Sequence, residues 1–256
     1  MVNIDINKNF FSPNYSYPRS SISYIILHYT EMEFEEALEK LTSSSSEVSC
    51  HYLIKKDGEI FQLVDDEMIA WHAGYSSWRG LDKLNQSSIG IEMDNLGNEI
   101  FLPAQMKACM ELCWNLINKH GIDSRNILGH SDIAPMRKID PGIFFNWQLL
   151  AQNGLGLWHK VEYSETLDKN ILYKFGDQGN EIKEIQLMLQ KTGYGFLAVS
   201  GQLDVETNAV IRAFQAHFCP KTIHSRGGVD FYNNINSYYC WNELSHKILL
   251  ELVDIM

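Results

Sequence analysis

Hydrophobic positions fall into two textures along this chain, and the change comes near Lys160. Before it, short runs of β-branched and aromatic residues are interspersed with a few helical patterns. Ser23–Thr30 (SYIILHYT) is apolar on both faces, which predicts a strand running through the middle of a sheet, with His28 toward its C-terminal end. Glu33–Leu41 sets Phe34, Leu38 and Leu41 on one side and acids on the other, an amphipathic helix. His51–Val64 reads as two strands around Lys56-Asp57-Gly58-Glu59, where Asp-Gly is a hairpin signal, so the sheet contains antiparallel pairing. In SSIGIEMDN, Ile89, Ile91 and Met93 share one face while Ser88, Gly90, Glu92 and Asp94 share the other. Glu92 then looks away from the apolar layer, and Gly90 leaves room beside it. Pro103–His120 is the clearest helix: Pro103 suits a first turn, Met106, Cys109, Met110, Cys113, Ile117 and His120 trace one face, and Gly121 stops it. Ile143–Gln152 predicts a further short helix.

After Lys160, Ile182, Ile185 and Leu189 recur at helical spacing between glycines. Val210, Ala213, Phe214 and His217 repeat the idea, and Tyr239–Met256 is a third helical stretch. The expected architecture is α/β, a mixed central sheet flanked by helices, followed by a small C-terminal three-helix module that holds no catalytic cluster. Residues 1–21, with two prolines and many Ser, Asn and Tyr, are expected to be an irregular arm. The main domain then spans 22–158, a linker 159–172 and the helical domain 173–256.

At 256 residues the chain is comfortable for two domains, and 45% hydrophobic with 12% aromatic content is that of a folded protein. Lys and Arg number 13 against 20 Asp and Glu up to Lys160, then 8 against 12. Both parts are acidic, which excludes the concentrated basic patch of a nucleic-acid binder. No apolar stretch is long enough to span a bilayer, and the N-terminus lacks the basic start and apolar run of a signal peptide. Five cysteines, at 50, 109, 113, 219 and 240, show no C-x-x-C spacing, so neither a disulfide framework nor a cysteine zinc site is indicated.

Candidate chemistry concentrates in Leu128–Gly142, LGHSDIAPMRKIDPG. His130 and Asp140 are both good zinc ligands, and a catalytic zinc takes three protein ligands plus an open position. Pro141 favours extended backbone at Asp140, where alternate side chains share a direction, so Lys138 and Asp140 should face one site. The same residues also read as a surface loop with a histidine and an ion pair. His28 is in turn either a core histidine or a group at a strand end opening on a crevice. Ala70–Gly80, AWHAGYSSWRG, fits neither period; Trp71, Tyr75 and Trp78 around His72 either contact a ligand or roof the core. Cys50 next to His51 raises a thiol mechanism, but neighbours on a strand point to opposite faces.

The pieces LHYT, SCHYLIKKDGEIFQLV, AWHAGYSSW, NQSSIGIEMDN and LGHSDIAPMRKIDPG, in this order, resemble the zinc-dependent N-acetylmuramoyl-L-alanine amidases of type 2, relatives of the peptidoglycan-recognition proteins. GDQGNEIKEIQLMLQKTGY and GQLDVETNAVIRAFQ resemble a peptidoglycan-binding module. The resemblance implies one Zn2+ per chain on His28, His130 and Asp140, with Glu92 as acid/base and Lys138 as a partner for developing negative charge. Some relatives use a tyrosine just before the position of His51; Cys50 stands there, which leaves the proton work to Glu92. Tyr29, Trp71, His72, Ala73 and Asn85 are implied to bind substrate. The implied reaction is hydrolysis of the amide between N-acetylmuramic acid and L-alanine in peptidoglycan or muropeptides, by a monomer in the cell envelope or periplasm. A non-catalytic recognition protein, a zinc peptidase cutting within the stem peptide, and a cytoplasmic location are the alternatives.

Overall fold

The computed structural model describes residues 4–17, 19, 21–234 and 237–256, and within it the chain forms two compact units. The first comprises Met1–Ser76, Lys83–His130 and Asp140–Leu157. It is built on a six-stranded sheet in the order Ile6–Asn7, Ile60–Gln62, Tyr52–Ile54, Ser88–Met93, Tyr24–Tyr29, Ile127–Gly129. Tyr52–Ile54 and Ile60–Gln62 pair antiparallel through the Asp-Gly turn, and the other neighbours run parallel. The sheet is therefore mixed, as its sequence pattern predicts.

Tyr24–Tyr29 lies between two parallel neighbours, and all six of its residues are buried, which explains a run apolar on both faces. Helix Phe34–Thr42 buries Phe34, Ala37 and Leu41, where Phe34 and Leu41 join Leu53, Phe61 and Leu63 in one core cluster. Helix Pro103–His120 has the predicted ends and buries Met106, Cys109, Leu112, Cys113, Leu116 and Ile117.

Three expectations change in this unit. The N-terminal segment is not wholly irregular: Ile6–Asn7 adds the edge strand and Tyr15–Ser16 pairs antiparallel with Ile69–Ala70. Buried Asn14 ties this segment down by donating to the carbonyls of Ser43 and Val48. Of the expected arm, residues 1–3, 18 and 20 lie outside the described residues. The Ser88–Met93 strand is buried on both faces, Glu92 alone being half-buried, because the space above Gly90 is filled by the His72 ring. The short helix after Ile143 begins only at Trp147, where the Asn146 side chain caps it by accepting the Leu149 N–H; Ile143 and Phe145 pack into the core instead.

The second unit comprises Ser77–Asp82, Ser131–Ile139 and Trp158–Met256. Its long helices are Asn180–Thr192, Val205–Phe218 and Glu243–Ile255. Three short helices, Glu165–Lys169, Pro220–His224 and Gly228–Asn233, and a two-stranded ribbon of Ile171–Tyr173 with Trp241–Asn242 accompany them. The last long helix starts four residues later than its pattern implies, since Trp241–Asn242 is ribbon and the Asn242 side chain caps the helix at Ser245 N–H.

Candidate metal centre

The parallel strands bring the candidate residues together by register. His28 is paired with Glu92 on the neighbouring strand, and Leu27 with Gly129, so the residue after Gly129, His130, emerges beside His28. The three side-chain positions thus sit at the C-terminal ends of adjacent parallel strands, where open α/β sheets place their crevices. Asp140 returns to this point ahead of a cis peptide bond to Pro141.

His28, His130 and Asp140 are all buried, and one donor atom from each converges. Nδ1 of His28 lies 3.0 Å from Nδ1 of His130, and the Asp140 Oδ2 is 2.9 Å from the first and 3.1 Å from the second. The hydrogen-bond network assigns the ring tautomers. Ser88 gives its single hydroxyl proton to the Leu84 carbonyl at 2.6 Å, so at 3.2 Å it accepts the His72 Nε2–H. His72 Nδ1 is then an acceptor, and His28 Nε2–H donates to it at 3.0 Å. His130 Nε2–H donates to the Ala73 carbonyl at 3.2 Å. With both rings neutral, each Nδ1 offers a lone pair toward the other and toward a carboxylate. A proton on one nitrogen relieves part of that repulsion; a cation bound by all three relieves all of it.

The donor set fits such a cation. Donor atoms about 3 Å apart are close enough for one cation to be held by all three at metal–ligand lengths of about 2.05 Å. Burial alone would raise the Asp140 pKa, but with protons on His130 and His28 their charge and hydrogen bonds outweigh it and hold the carboxyl well below its usual range; a bound cation would act in the same sense. Both imidazoles are anchored through their far nitrogens, the arrangement that fixes metal-ligating histidines.

The remaining site residues fall into distinct places. Glu92 is half-buried on the strand beside His28, and Lys138 is half-buried after a turn in which its N–H bonds the Ala134 carbonyl. His72 sits behind His28 with both ring nitrogens engaged, and burial, then the neighbouring imidazoles, push its pKa well below the ordinary value. Ala73 is buried and presents its carbonyl to His130. The Asn85 side chain accepts both the His72 and Ala73 main-chain N–H groups, at 3.1 and 2.6 Å, and so shapes this loop from below. Trp71 is half-buried and its indole N–H donates to Ser16, while Tyr29 is buried against Gly97. Ser88 and the Ala73 carbonyl are the supports that no sequence motif announced.

Cys50 and His51 do not form a catalytic pair. The Cys50 thiol is fully buried, and burial, then the Glu92 charge, drive its pKa well above the ordinary value. His51 Nδ1 accepts the Gly90 N–H and its Nε2 lies 3.2 Å from the Met68 carbonyl; burial and Arg19 lower its pKa to about 3.

A mixed sheet whose parallel strands end on a buried His-His-Asp triad defines a candidate metal-dependent hydrolase. A family model for N-acetylmuramoyl-L-alanine amidases matches residues 18–143, and one for a peptidoglycan-binding domain matches residues 178–222. The N-acetylmuramoyl-L-alanine amidase AmiD of Escherichia coli (strain K12) is 36% identical over 222 residues, 80% of this chain and 77% of that protein. The 1,6-anhydro-N-acetylmuramyl-L-alanine amidase AmpD of Citrobacter freundii is 42% identical over 100 residues, 39% of this chain and 54% of that protein, so the similarity spans about half of that relative. The structure of the E. coli amidase AmiD in complex with its substrate anhydro-N-acetylmuramic acid-L-Ala-D-gamma-Glu-L-Lys matches with a TM-score of 0.72 at 31% identity, covering 93% of this chain and 90% of that one. The chain belongs to the N-acetylmuramoyl-L-alanine amidase family, and it is an amidase of that family with a C-terminal peptidoglycan-binding domain.

Proposed function

We propose that the chain is a zinc amidase that binds one Zn2+ through His28, His130 and Asp140 and frees the stem peptide from N-acetylmuramic acid in peptidoglycan and its muropeptides. The convergence of two imidazole nitrogens and a carboxylate oxygen within about 3 Å is the observation that carries it. The borderline-soft N2O donor set suits zinc. When bound, zinc is a Lewis acid that acidifies water and polarises a carbonyl.

The chain's own residues supply the rest. Glu92, beside His28 on the adjacent strand, takes the proton of the attacking water and returns it to the departing L-alanine amine. Lys138 places its ammonium against the lactyl oxygen as negative charge builds there, an interaction whose loss typically costs on the order of 3 kcal/mol. Tyr29, Trp71 and the His72–Ala73 loop, held by Asn85, shape the wall on which glycan and peptide lie. Residues 22–158 carry the catalytic residues and 173–256 the wall-binding domain, in a monomer acting in the cell envelope. The peptidoglycan-binding match at residues 178–222 supports a polymeric wall substrate, and the anhydromuramyl tripeptide named with the relative supports small fragments.

The test is mass spectrometry of products from purified wall and from muropeptides, with metal analysis of the protein used. Peptides with a free L-alanine N-terminus and intact muramic acid, at about one zinc per chain, are expected. Cleavage within the stem peptide, or wall binding without products, overturns the reading.

A further inference from the structure

The N-terminal segment contributes one long polar side chain beyond its pairing at Tyr15–Ser16. Arg19 is half-buried and delivers a single guanidinium nitrogen to two main-chain carbonyls: Nη2 donates to that of Ser88 at 2.7 Å and to that of Asn85 at 3.2 Å. One carbonyl belongs to the turn Leu84–Ser87 and the other to the residue that ends it.

The same two residues hold His72. The Asn85 side chain accepts the His72 and Ala73 N–H groups, and the Ser88 hydroxyl accepts the His72 Nε2–H. His72 Nδ1 in turn accepts the His28 Nε2–H, which leaves His28 Nδ1 for a cation. Arg19 therefore bonds directly to each of the two residues that seat His72, and every member of this chain of contacts lies in the first unit.

Stability alone does not account for a guanidinium here. Its Nε and Nη1 are buried and meet no acceptor among the described residues, which carries a desolvation cost. Burial lowers its pKa to about 10, against the charges of Asp66 and Glu67, so it is still a cation at neutral pH. Nη2 also lies 3.1 Å from His51 Nε2. With His51 Nδ1 accepting the Gly90 N–H, the Nε2 proton faces the Met68 carbonyl, and both Nη2 protons are already committed, so this approach forms no hydrogen bond. Replacing buried ionic groups by apolar side chains of similar volume is often neutral or stabilising.

We infer that Arg19 is a positioning residue for the metal centre: by fixing the Asn85 and Ser88 carbonyls it sets His72, and through His72 the ring of His28. The inference rests on the zinc reading above. Loss of groups that orient metal ligands typically weakens binding 10–100-fold.

The experiment uses the full chain and zinc alone. Zinc dissociation constants are measured by competition with a chromophoric chelator for the parent, Arg19→Met, Arg19→Lys, His72→Ala, the Arg19→Met/His72→Ala double variant and Leu41→Ala, with folding followed by circular dichroism. Leu41 is buried in the Phe34–Phe61 core cluster and reports general destabilisation of the unit. Arg19→Met is expected to raise the dissociation constant about tenfold, and Arg19→Lys, which keeps the charge but loses the planar fork, at least about threefold. In the His72→Ala background the Arg19→Met step should shrink to less than about twofold, because residues acting through one contact are not additive. Leu41→Ala should lower the melting temperature with an unchanged constant. Unchanged affinity in folded Arg19→Met overturns the inference, as does an equal loss in both backgrounds or a matching loss in Leu41→Ala. Arg19→Lys decides by the same comparisons if Arg19→Met fails to fold. A parent that binds no zinc overturns the zinc reading, and this inference with it.

Discussion

Stripping divalent metal from the folded protein is expected to lower its melting temperature by roughly 5–11 °C at neutral pH. The magnitude follows from what the buried triad must do when empty. His28 Nδ1, His130 Nδ1 and Asp140 Oδ2 stand about 3 Å apart with their lone pairs inward, and the far nitrogens of both rings are already committed to His72 and to the Ala73 carbonyl. Neither ring can flip without breaking one of those buried bonds, so the cluster must take up a proton or spread. Metal at about 100 times its dissociation constant stabilises the native state by about 2.7 kcal/mol, and each kcal/mol moves the midpoint of a chain this size by about 2–4 °C.

The assay is differential scanning calorimetry with and without chelator, repeated after adding zinc back, on the parent and on Asp140→Ala. The chelator response should vanish in Asp140→Ala. The pH dependence has a definite sign. A carboxyl held below its usual range contributes stability that is present above the unfolded pKa of about 3.9 and is lost as pH falls below it; Asp140 therefore stays ionised throughout mild acidification. Loss of metal between pH 7 and 5 is therefore not expected from protonation of Asp140. A parent whose melting curve ignores both chelator and added zinc would refute the reading of the triad.

His72→Ala should weaken zinc binding about 10–100-fold by freeing the far nitrogen of His28, measured by chelator competition. Gly90→Ala should do the same by a different route, because a Cβ at residue 90 would overlap the His72 ring; an affinity equal to the parent's would show that His72 is not what holds His28. Glu92→Gln should lower turnover about 10²–10⁴-fold with zinc content unchanged by elemental analysis, and full activity in that variant would move the proton work elsewhere. Cys50→Ala should leave turnover on muropeptides within about twofold while costing stability as a buried truncation; loss of activity with the fold intact would restore the thiol mechanism.

Local signals made the frame of the site legible. A strand apolar on both faces ended in His28, an alternating strand carried Glu92, and a polar, Pro-rich stretch held His130, Lys138 and Asp140; register then aligned the first two and placed His130 beside them. Helix Pro103–His120 was readable end to end because the residues at both of its ends have strong local preferences. The edge strands were not readable, since two residues such as Ile6–Asn7 are too few to show a period and depend on Ile60–Gln62 for their pairing. The short helix before Gln152 was overextended because Ile143 and Phe145 are apolar for tertiary reasons.

What remained hidden is the part of the site that depends on contact between distant residues. Alternation put Gly90 on a polar face and suggested open space; the His72 ring occupies it, and a Cβ at residue 90 would overlap that ring. Once His72 is seated there, Ser88, two residues earlier on the same face, fixes its tautomer, and the tautomer fixes which nitrogen His28 presents. The alternation Ser88, Gly90, Glu92 thus encodes three consecutive requirements of one face: a hydroxyl to orient a ring, a gap to admit it, and a carboxylate beside the metal ligand. Read alone, the pattern is an ordinary half-polar strand, and only the partner supplied by the loop at His72 distinguishes it from one.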